Sequence, residues 1–344
     1  MTHPYLYFSK ADAEAYFAER RKRSDWNGYY ARICDAAEKT LCEELVTETA
    51  AKGNAVSQHA DYGLLNGQAN RFFSTLGVKY LADGDIRCAE RMKEMLLSFI
   101  RFERWHSDSY YKRIPVPWHA DIVSTNTSLA TAAVYDLIFD HLNGDERKLI
   151  ADGILEKGVM PALRDWILPE TRIHALDSMG HNWWAVCVGE AATAFLCVSD
   201  FVPEQERKRI TDLADRALAK YFEYSGNSVF NKIRSFDAKG LFYEGPSYNN
   251  YGTGTLLRYL FCSERYNGRN DVIRAAVPEK LSDAFMLQSY PYTVDGRVEF
   301  AFLNFGDSDF VRSMDAISQY ACATGTDSPA LRALASKLGS DTVS

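Results

Sequence analysis

The segment from residue 240 to residue 252 is the part of the chain best suited to chemistry. It places three tyrosines, one glutamate and two asparagines around a Gly-Pro step, and such a step cannot lie inside a helix. Phenol, carboxyl and amide groups can transfer protons or hydrogen-bond a ligand. An apolar run typical of a helix follows, so Tyr248 and Tyr251 are predicted at or just before a helix N-terminus, where backbone N–H groups favour negative charge. We interpret the segment as a functional site.

The elements that position this segment are predicted to be helices. Apolar residues spaced three and four apart, as in residues 92–100 and 210–222, give each helix one apolar face. Residues 181–198 are almost wholly apolar, which is typical of a helix buried on nearly all sides. Residues 270–288 are predicted to form one further helix. A strand pattern with an Asp-Gly turn at residues 292–305 predicts a single short β-hairpin.

These helices are predicted to form one all-α domain over residues 1–344. About a dozen helices joined by loops would pack as antiparallel hairpins. No repeat of fixed period is visible that would favour a solenoid. The helical hairpins are therefore predicted to close into a ring.

Composition narrows the class of protein. The chain has 344 residues, 47% of them hydrophobic, which predicts a soluble globular protein with a large core. Its net charge of -7 argues against nucleic acid or an anionic membrane as a general partner. The start of the chain lacks the basic and apolar parts of a signal peptide, and no apolar run reaches bilayer length. The cytoplasm is the predicted location.

Cysteine and histidine spacing predicts no metal site. The seven cysteines are scattered without a Cys-x-x-Cys pair, which is typical of reduced, buried thiols rather than of a disulfide or zinc framework. No two histidines lie four residues apart, the helical spacing of metal ligands. Neither a metal nor another cofactor is expected.

Three stretches resemble the heparinase II/III group of polysaccharide lyases and their alginate- and chondroitin-lyase relatives. They are Gly-His-Asn-Trp-Trp at residues 180–184 with the Gly-Glu pair at 189–190, the segment 242–252, and Phe-Gly-Asp-Ser at residues 305–308. Their order and the helical background between them match as well. The resemblance therefore spans most of the chain.

The resemblance implies an incomplete (α/α) toroid of antiparallel helical hairpins, followed by a β-sandwich domain that closes over the same cleft. The chain ends at Ser344, where that sandwich is expected to begin. Such lyases commonly take a further catalytic histidine from the sandwich. Two interpretations stay open: the sequence is cut at a domain boundary, or the protein has lost part of its site and with it the activity.

The resemblance also implies a reaction. These lyases cleave a glycosidic bond beside a uronic acid by β-elimination: the carboxylate is neutralised, a base removes the C5 proton, and an acid protonates the departing oxygen at C4. Asn182 and His181 are the candidates for neutralising the carboxylate, since the family position is Asn in some members and His in others. Tyr248 is the predicted proton-transfer residue and Tyr251 its alternative. A phenol, with an ordinary pKa of about 10, suits an acid and acts as a base only if its neighbours lower that pKa.

Six further residues are predicted to bind the substrate: Trp183, Trp184, His119, Asp121, Glu244 and Asn249. Most of them have a structural alternative. The two tryptophans could belong to the core, Glu244 could accept hydrogen bonds from the N–H groups of the next helix, and the His119 and Asp121 side chains could simply pair within their loop. Asp307 most resembles a helix cap, with a place in the cleft as its alternative.

Two other classes of function stay open. A glycoside hydrolase needs two carboxylates facing one bond, and Glu244 with Asp121 or Asp307 could serve. A non-catalytic domain that binds an anionic glycan would fit a toroid without its sandwich. Elimination is favoured because tyrosine, histidine and asparagine outnumber acids in the motifs. The expected partner is an anionic poly- or oligosaccharide.

Overall fold

A computed structural model describes residues 3–4, 6–53, 62–112, 115–179 and 181–303, together with residues 316, 320 and 324; the side chains of residues 108, 109 and 181 are not included. Most of this part of the chain is helical. The helices, in chain order, are α1 (Lys10–Arg20), α2 (Trp26–Leu41), α3 (Glu48–Lys52), α4 (Gly63–Phe72), α5 (Val78–Asp83), α6 (Ile86–Phe99), α7 (Asp108–Tyr111), α8 (Ile122–Leu137), α9 (Gly144–Ile154), α10 (Met160–Trp166), α11 (His181–Val198), α12 (Glu204–Glu223), α13 (Pro246–Tyr248), α14 (Gly254–Asn267), α15 (Asp271–Ala276) and α16 (Leu281–Leu287).

Two strands, β1 (Ser289–Val294) and β2 (Arg297–Phe302), pair antiparallel with Ser289 opposite Phe302. Asp295 and Gly296 connect them with φ of 50° and 75°, the left-handed geometry that a two-residue hairpin turn requires. The prediction of an all-α fold with a short β-hairpin is confirmed, although the hairpin begins three residues earlier than the sequence pattern indicated. None of the helices in the described ranges is both long and apolar enough to cross a membrane.

The chain divides into two compact units. Unit 1 contains residues 1–165 and 190–207, and unit 2 contains residues 166–189 and 208–344. Residues 181–189 of α11 therefore belong to unit 2, and residues 190–198 belong to unit 1. The single domain over residues 1–344 and its closure into a ring stay predictions.

Within unit 1, α8 is buried along nearly its whole length. Asp121 and Ser124 begin it with a capping box, in which the side chain of each accepts a hydrogen bond from the backbone N–H of the other. Its many Ser, Thr and Ala residues let α4, α6 and α9 pack closely against it. Gly158, in the turn between α9 and α10, also lies close to α8: an added Cβ would lie 1.9 Å from Ser128 Oγ.

Within unit 2, an aromatic cluster forms part of the core. Trp184 and Tyr221 stack at 5.9 Å with nearly parallel rings, and Phe222, Phe236 and Phe242 pack around Tyr221. Buried aromatic side chains contribute a large apolar area each. The cluster lies against the start of α11 and so supports the segment that carries Asn182.

The helix predicted over residues 270–288 is wrong as a single element. The structure breaks it into α15 and α16, with Val277 already extended after α15. Pro278 is the physical reason, since proline lacks a backbone N–H and forces the preceding residue out of the helical region.

Candidate functional site

Asn182 and Glu244 bring two distant segments of unit 2 together. The backbone N–H of Asn182 donates to Glu244 Oε2 at 2.9 Å, and its amide Nδ2 donates to Glu244 Oε1 at 2.8 Å. A carboxylate at the first turn of a helix is favourable because the unpaired N–H groups there carry partial positive charge. Glu244 therefore fixes both the start of α11 and the orientation of the Asn182 amide, whose residue is 8% exposed.

This geometry corrects the role predicted for Glu244. The sequence indicated either a substrate contact or a cap for the helix that follows residue 252. Both oxygens instead bind Asn182, 62 positions earlier in the chain. Since one hydrogen of Nδ2 is donated to Glu244, the second remains to be directed at a ligand.

Gly252 lies where the tyrosine-rich segment crosses the start of α11. A Cβ built on Gly252 would lie 3.5 Å from Asn182 Cα and 3.4 Å from Tyr221 Oη. The two segments that the sequence identified as functional are thus in direct contact within unit 2.

Tyr248 and Tyr251 lie in the turns that lead into α14. Gly245, with φ of 94°, and Pro246 start the short α13, which ends at Tyr248. Residues Asn249–Thr253 then form a π-helical turn before α14 begins, a feature that often marks functional sites. Both tyrosines are half-buried, so they lie at the surface beside Asn182's helix rather than in the core.

Asn249 is fully buried, and neither atom of its amide has a hydrogen-bond partner among the described residues. The same holds for Thr253 Oγ1 in the same π-helical turn. A buried polar group without a partner costs roughly 1–3 kcal/mol. Asn249, predicted to bind the substrate, thus lies below the surface with unused hydrogen-bonding capacity.

The two tryptophans have different environments. Trp184 is buried and stacked on Tyr221, so the structural alternative holds for it and it forms the core beneath the site. Trp183 is half-buried and keeps part of its surface accessible.

Burial, with smaller contributions from the charges of Glu244 and Tyr243, raises the pKa of Tyr221, so this phenol stays protonated at neutral pH.

His119 and Asp121, which belong to unit 1, do not form the loop pair that the sequence allowed. Asp121 is buried and caps α8, so the structure shows a structural role for it, and its predicted contact with a substrate stays a prediction. His119 pairs with Asp165 instead, with Nδ1 at 2.9 Å from Asp165 Oδ1. Sequence analysis missed Asp165 because a carboxylate 46 residues away gives no local signal.

Two of the predicted residues are not placed. The side chain of His181 and the Phe-Gly-Asp-Ser stretch at residues 305–308, with Asp307, lie outside the described parts of the structure. Their roles stay predictions.

His3, Asp136 and Cys197 of unit 1 bring potential metal-ligating atoms within 4.8 Å of one another. Both ring nitrogens of His3 already face carboxylates, Nδ1 at 2.5 Å from Asp136 and Nε2 at 2.9 Å from Asp200. A metal at Nδ1 would have to displace the Asp136 hydrogen bond. We therefore interpret the cluster as an ion-pair network.

Comparison with known proteins adds no relative. No protein-family model matches the chain, and a search of curated proteins finds no significant match.

Proposed function

We propose that the protein is a lyase that cleaves uronic-acid-containing poly- or oligosaccharides by β-elimination. The observation that carries the proposal is the contact between Asn182 and the tyrosine-rich segment, with the Asn182 amide held by Glu244. An oriented amide, in contact with a segment that carries two half-buried phenols, offers the donor and the proton-transfer groups that this elimination needs.

Asn182 acts on the substrate carboxylate in this proposal. The second hydrogen of Nδ2 is directed at the uronate, where it stabilises the negative charge that moves onto the carboxylate oxygens as the C5 proton leaves. Glu244 positions the amide and does not touch the substrate. The negative charge of Glu244 would repel a uronate carboxylate, so a second donor is needed. His181, beside Asn182 in the sequence, is the candidate for it.

Tyr248 transfers the proton to the leaving group. Its phenol O–H protonates the oxygen that departs from C4 while a base takes the C5 proton; the C4–O bond breaks and a C4–C5 double bond forms without water. Tyr251, also half-buried and one turn further on, is the alternative acid.

A hydrolase mechanism has less support. Both oxygens of Glu244 accept hydrogen bonds from Asn182, and Asp121 is buried as the cap of α8. Two of the three carboxylates that the sequence offered for hydrolysis therefore have structural roles. A binding domain without activity stays the other alternative.

The test is an assay on alginate, heparan sulfate, chondroitin and hyaluronan, as polymers and as oligomers. Elimination produces a conjugated uronate that absorbs in the ultraviolet. We expect unsaturated product from at least one substrate and a rate about 10²–10⁴-fold lower in Tyr248→Phe, because a positioned proton donor contributes about that factor.

The matched control is Tyr290→Phe, which alters a half-buried tyrosine of the hairpin in the same unit and should retain the wild-type rate. The proposal fails if no substrate yields unsaturated product. Equal losses in the two variants would remove Tyr248 from the mechanism.

A further inference from the structure

His119 is an accessible imidazole held by a buried carboxylate in unit 1. Its side chain is 51% exposed, whereas the Asp165 side chain is 3% exposed. Asp165 accepts three hydrogen bonds: from the backbone N–H of His119 at 2.6 Å, from that of Ala120 at 3.3 Å, and from His119 Nδ1 at 2.9 Å. Asp165 therefore fixes both the backbone at residues 119–120 and the orientation of the His119 ring.

This pairing determines which ring nitrogen faces the solvent. An ionised carboxylate only accepts hydrogen bonds, so Nδ1 carries the proton. The neutral ring then presents Nε2 as an oriented acceptor. A buried charge is costly unless it is well hydrogen-bonded. The hydrogen bonds that stabilise the Asp165 carboxylate also orient the exposed ring of His119.

An aromatic surface adjoins this acceptor. The ring of Tyr111, a residue 46% exposed, meets His119 edge to face at 6.2 Å. The guanidinium of Arg104, which also pairs with Glu103 at 3.1 Å, lies over the Tyr111 ring at 5.0 Å. Tyr110 and Trp118 stack at 5.1 Å, and the backbone N–H of Trp118 donates to the backbone carbonyl of Tyr110 at 3.1 Å. An exposed ring beside polar groups and a cation suits a ligand with an apolar face, hydroxyls and negative charge.

His106 adds an independent sign of an unmet hydrogen-bonding need. It is 5% exposed, and neither ring nitrogen has a hydrogen-bond partner in the described part of the chain. Its ring lies 5.8 Å from that of Tyr111. Burial, helped by the charges of Arg104 and His119, lowers the pKa of His106 to about 4, so the ring is neutral and offers one donor and one acceptor. His106 thus lies buried beside Tyr111 with unused hydrogen-bonding capacity.

We propose that Tyr111 and His119 form a binding subsite for an acidic saccharide in unit 1. Tyr111 packs against the C–H face of a sugar ring, His119 Nε2 accepts a hydrogen bond from a sugar hydroxyl, and Arg104 favours an acidic sugar. Asp165 is the positioning residue of the subsite. The choice of an acidic saccharide as ligand rests on the proposed lyase function.

Calorimetry with saturated tetrasaccharides, prepared by acid hydrolysis of alginate and of hyaluronan, tests the subsite. We expect at least one probe to bind the full chain and Kd to rise about tenfold or more in Tyr111→Ala and in His119→Ala, a loss of about 1.4 kcal/mol. Tyr111→Phe keeps the ring and should bind almost as the wild type does. Tyr16→Ala, which removes another exposed tyrosine of unit 1, should leave Kd unchanged.

Asp165 has a test that needs no ligand. In nitrogen-15 NMR spectra of the neutral His119 ring, we expect the proton on Nδ1 in the wild type and a shift of the tautomer towards Nε2–H in Asp165→Asn. An unchanged tautomer would contradict the positioning role. Thermal unfolding shows whether this variant is folded, and Tyr111→Ala tests the same subsite without disturbing the buried carboxylate.

The subsite and the lyase activity can fail separately. Binding that depends on Tyr111 and His119 without any unsaturated product would keep the subsite and reject the lyase. Lyase activity whose KM is unchanged in both variants would reject the subsite and keep the lyase. The subsite is also rejected if neither tetrasaccharide binds.

Discussion

Both oxygens of Glu244 accept hydrogen bonds from Asn182, and the candidate site depends on this contact. The pair is charge-assisted and joins the backbone and the side chain of Asn182 to one carboxylate. Without Glu244, the first turn of α11 would lose its acceptor and the amide would be free to rotate. We therefore expect stability and the proposed lyase activity to be coupled at this residue.

Glu244→Ala is expected to lower the free energy of unfolding by about 1–3 kcal/mol, because it leaves the buried donors of Asn182 without an acceptor. The rate of the proposed lyase reaction should fall as well. Glu244→Gln keeps one acceptor oxygen, so we expect smaller losses of stability and of rate in this variant. Urea denaturation and initial rates measure the two effects. Glu223→Ala, at an exposed residue of α12, is the control and should change stability by less than about 0.5 kcal/mol. A Glu244→Ala variant as stable and active as this control would contradict the assigned role.

The sequence predicted the residue types of the site better than their partners. Asn182, Tyr248 and Tyr251 are candidates because their motifs combine proton-transfer groups with helix-breaking residues, and their roles stay predictions. The pairing of Asn182 with Glu244 and that of His119 with Asp165 could not be predicted, since pairs separated by 62 and 46 residues depend on how helices pack. The capping role of Asp121 could have been predicted, since a polar residue before a helix is often a cap.

At the scale of elements, the close packing of α14 against the first half of α11 holds the site segment in place. A Cβ added to Gly189 would lie 2.8 Å from Thr255 Cγ2 and 3.3 Å from Leu256 Cδ2. Thr255 is β-branched and has little rotamer freedom in a helix. Glycine at residue 189 therefore sets the distance between the two helices.

Gly189→Ala is expected to destabilise the protein by about 1–3 kcal/mol through overpacking. Gly252→Ala is the matched variant: its Cβ would meet Ala185, Tyr221 and Asn182 at 3.4 to 3.5 Å, which is ordinary contact distance, so we expect a much smaller change. Thermal and urea unfolding of the two variants give the comparison. Equal effects would mean that the helix crossing at Gly189 is not tightly packed.

Sequence patterns predicted the strongly periodic elements and missed the local irregularities. The almost wholly apolar run at residues 181–198 is the buried α11, and the Asp-Gly turn lies in a hairpin as predicted. The π-helical turn Asn249–Thr253 inserts extra residues before α14, and no residue pattern announces it. The break at Pro278 could have been predicted from the proline alone.

At the scale of the whole molecule, the start of the chain is tied into unit 1 by a buried histidine. Burial alone would lower the pKa of His3, but hydrogen bonds to Asp136 and Asp200, and the charges of these groups, outweigh it and raise the pKa above 6.5. Asp136 also accepts a hydrogen bond from the Leu6 N–H at 3.1 Å. The protonated imidazole thus joins two carboxylates.

The sign of the pH dependence follows from the raised pKa. The stabilisation from His3 is fully present below the unfolded pKa of about 6.5 and is lost as the pH rises through the higher folded pKa. We expect the difference in unfolding free energy between the wild type and His3→Gln to shrink as the pH rises from about 6 upwards. Urea denaturation over a pH series measures it, and a difference that stays constant would contradict the ion-pair network.

The central claim about the molecule is that it breaks glycosidic bonds by elimination. The most direct test is mass spectrometry of the products formed in water labelled with heavy oxygen, using the four uronate glycans named above. The account predicts unsaturated ends without incorporated label, since elimination consumes no water. Saturated ends that carry the label would show hydrolysis and contradict it.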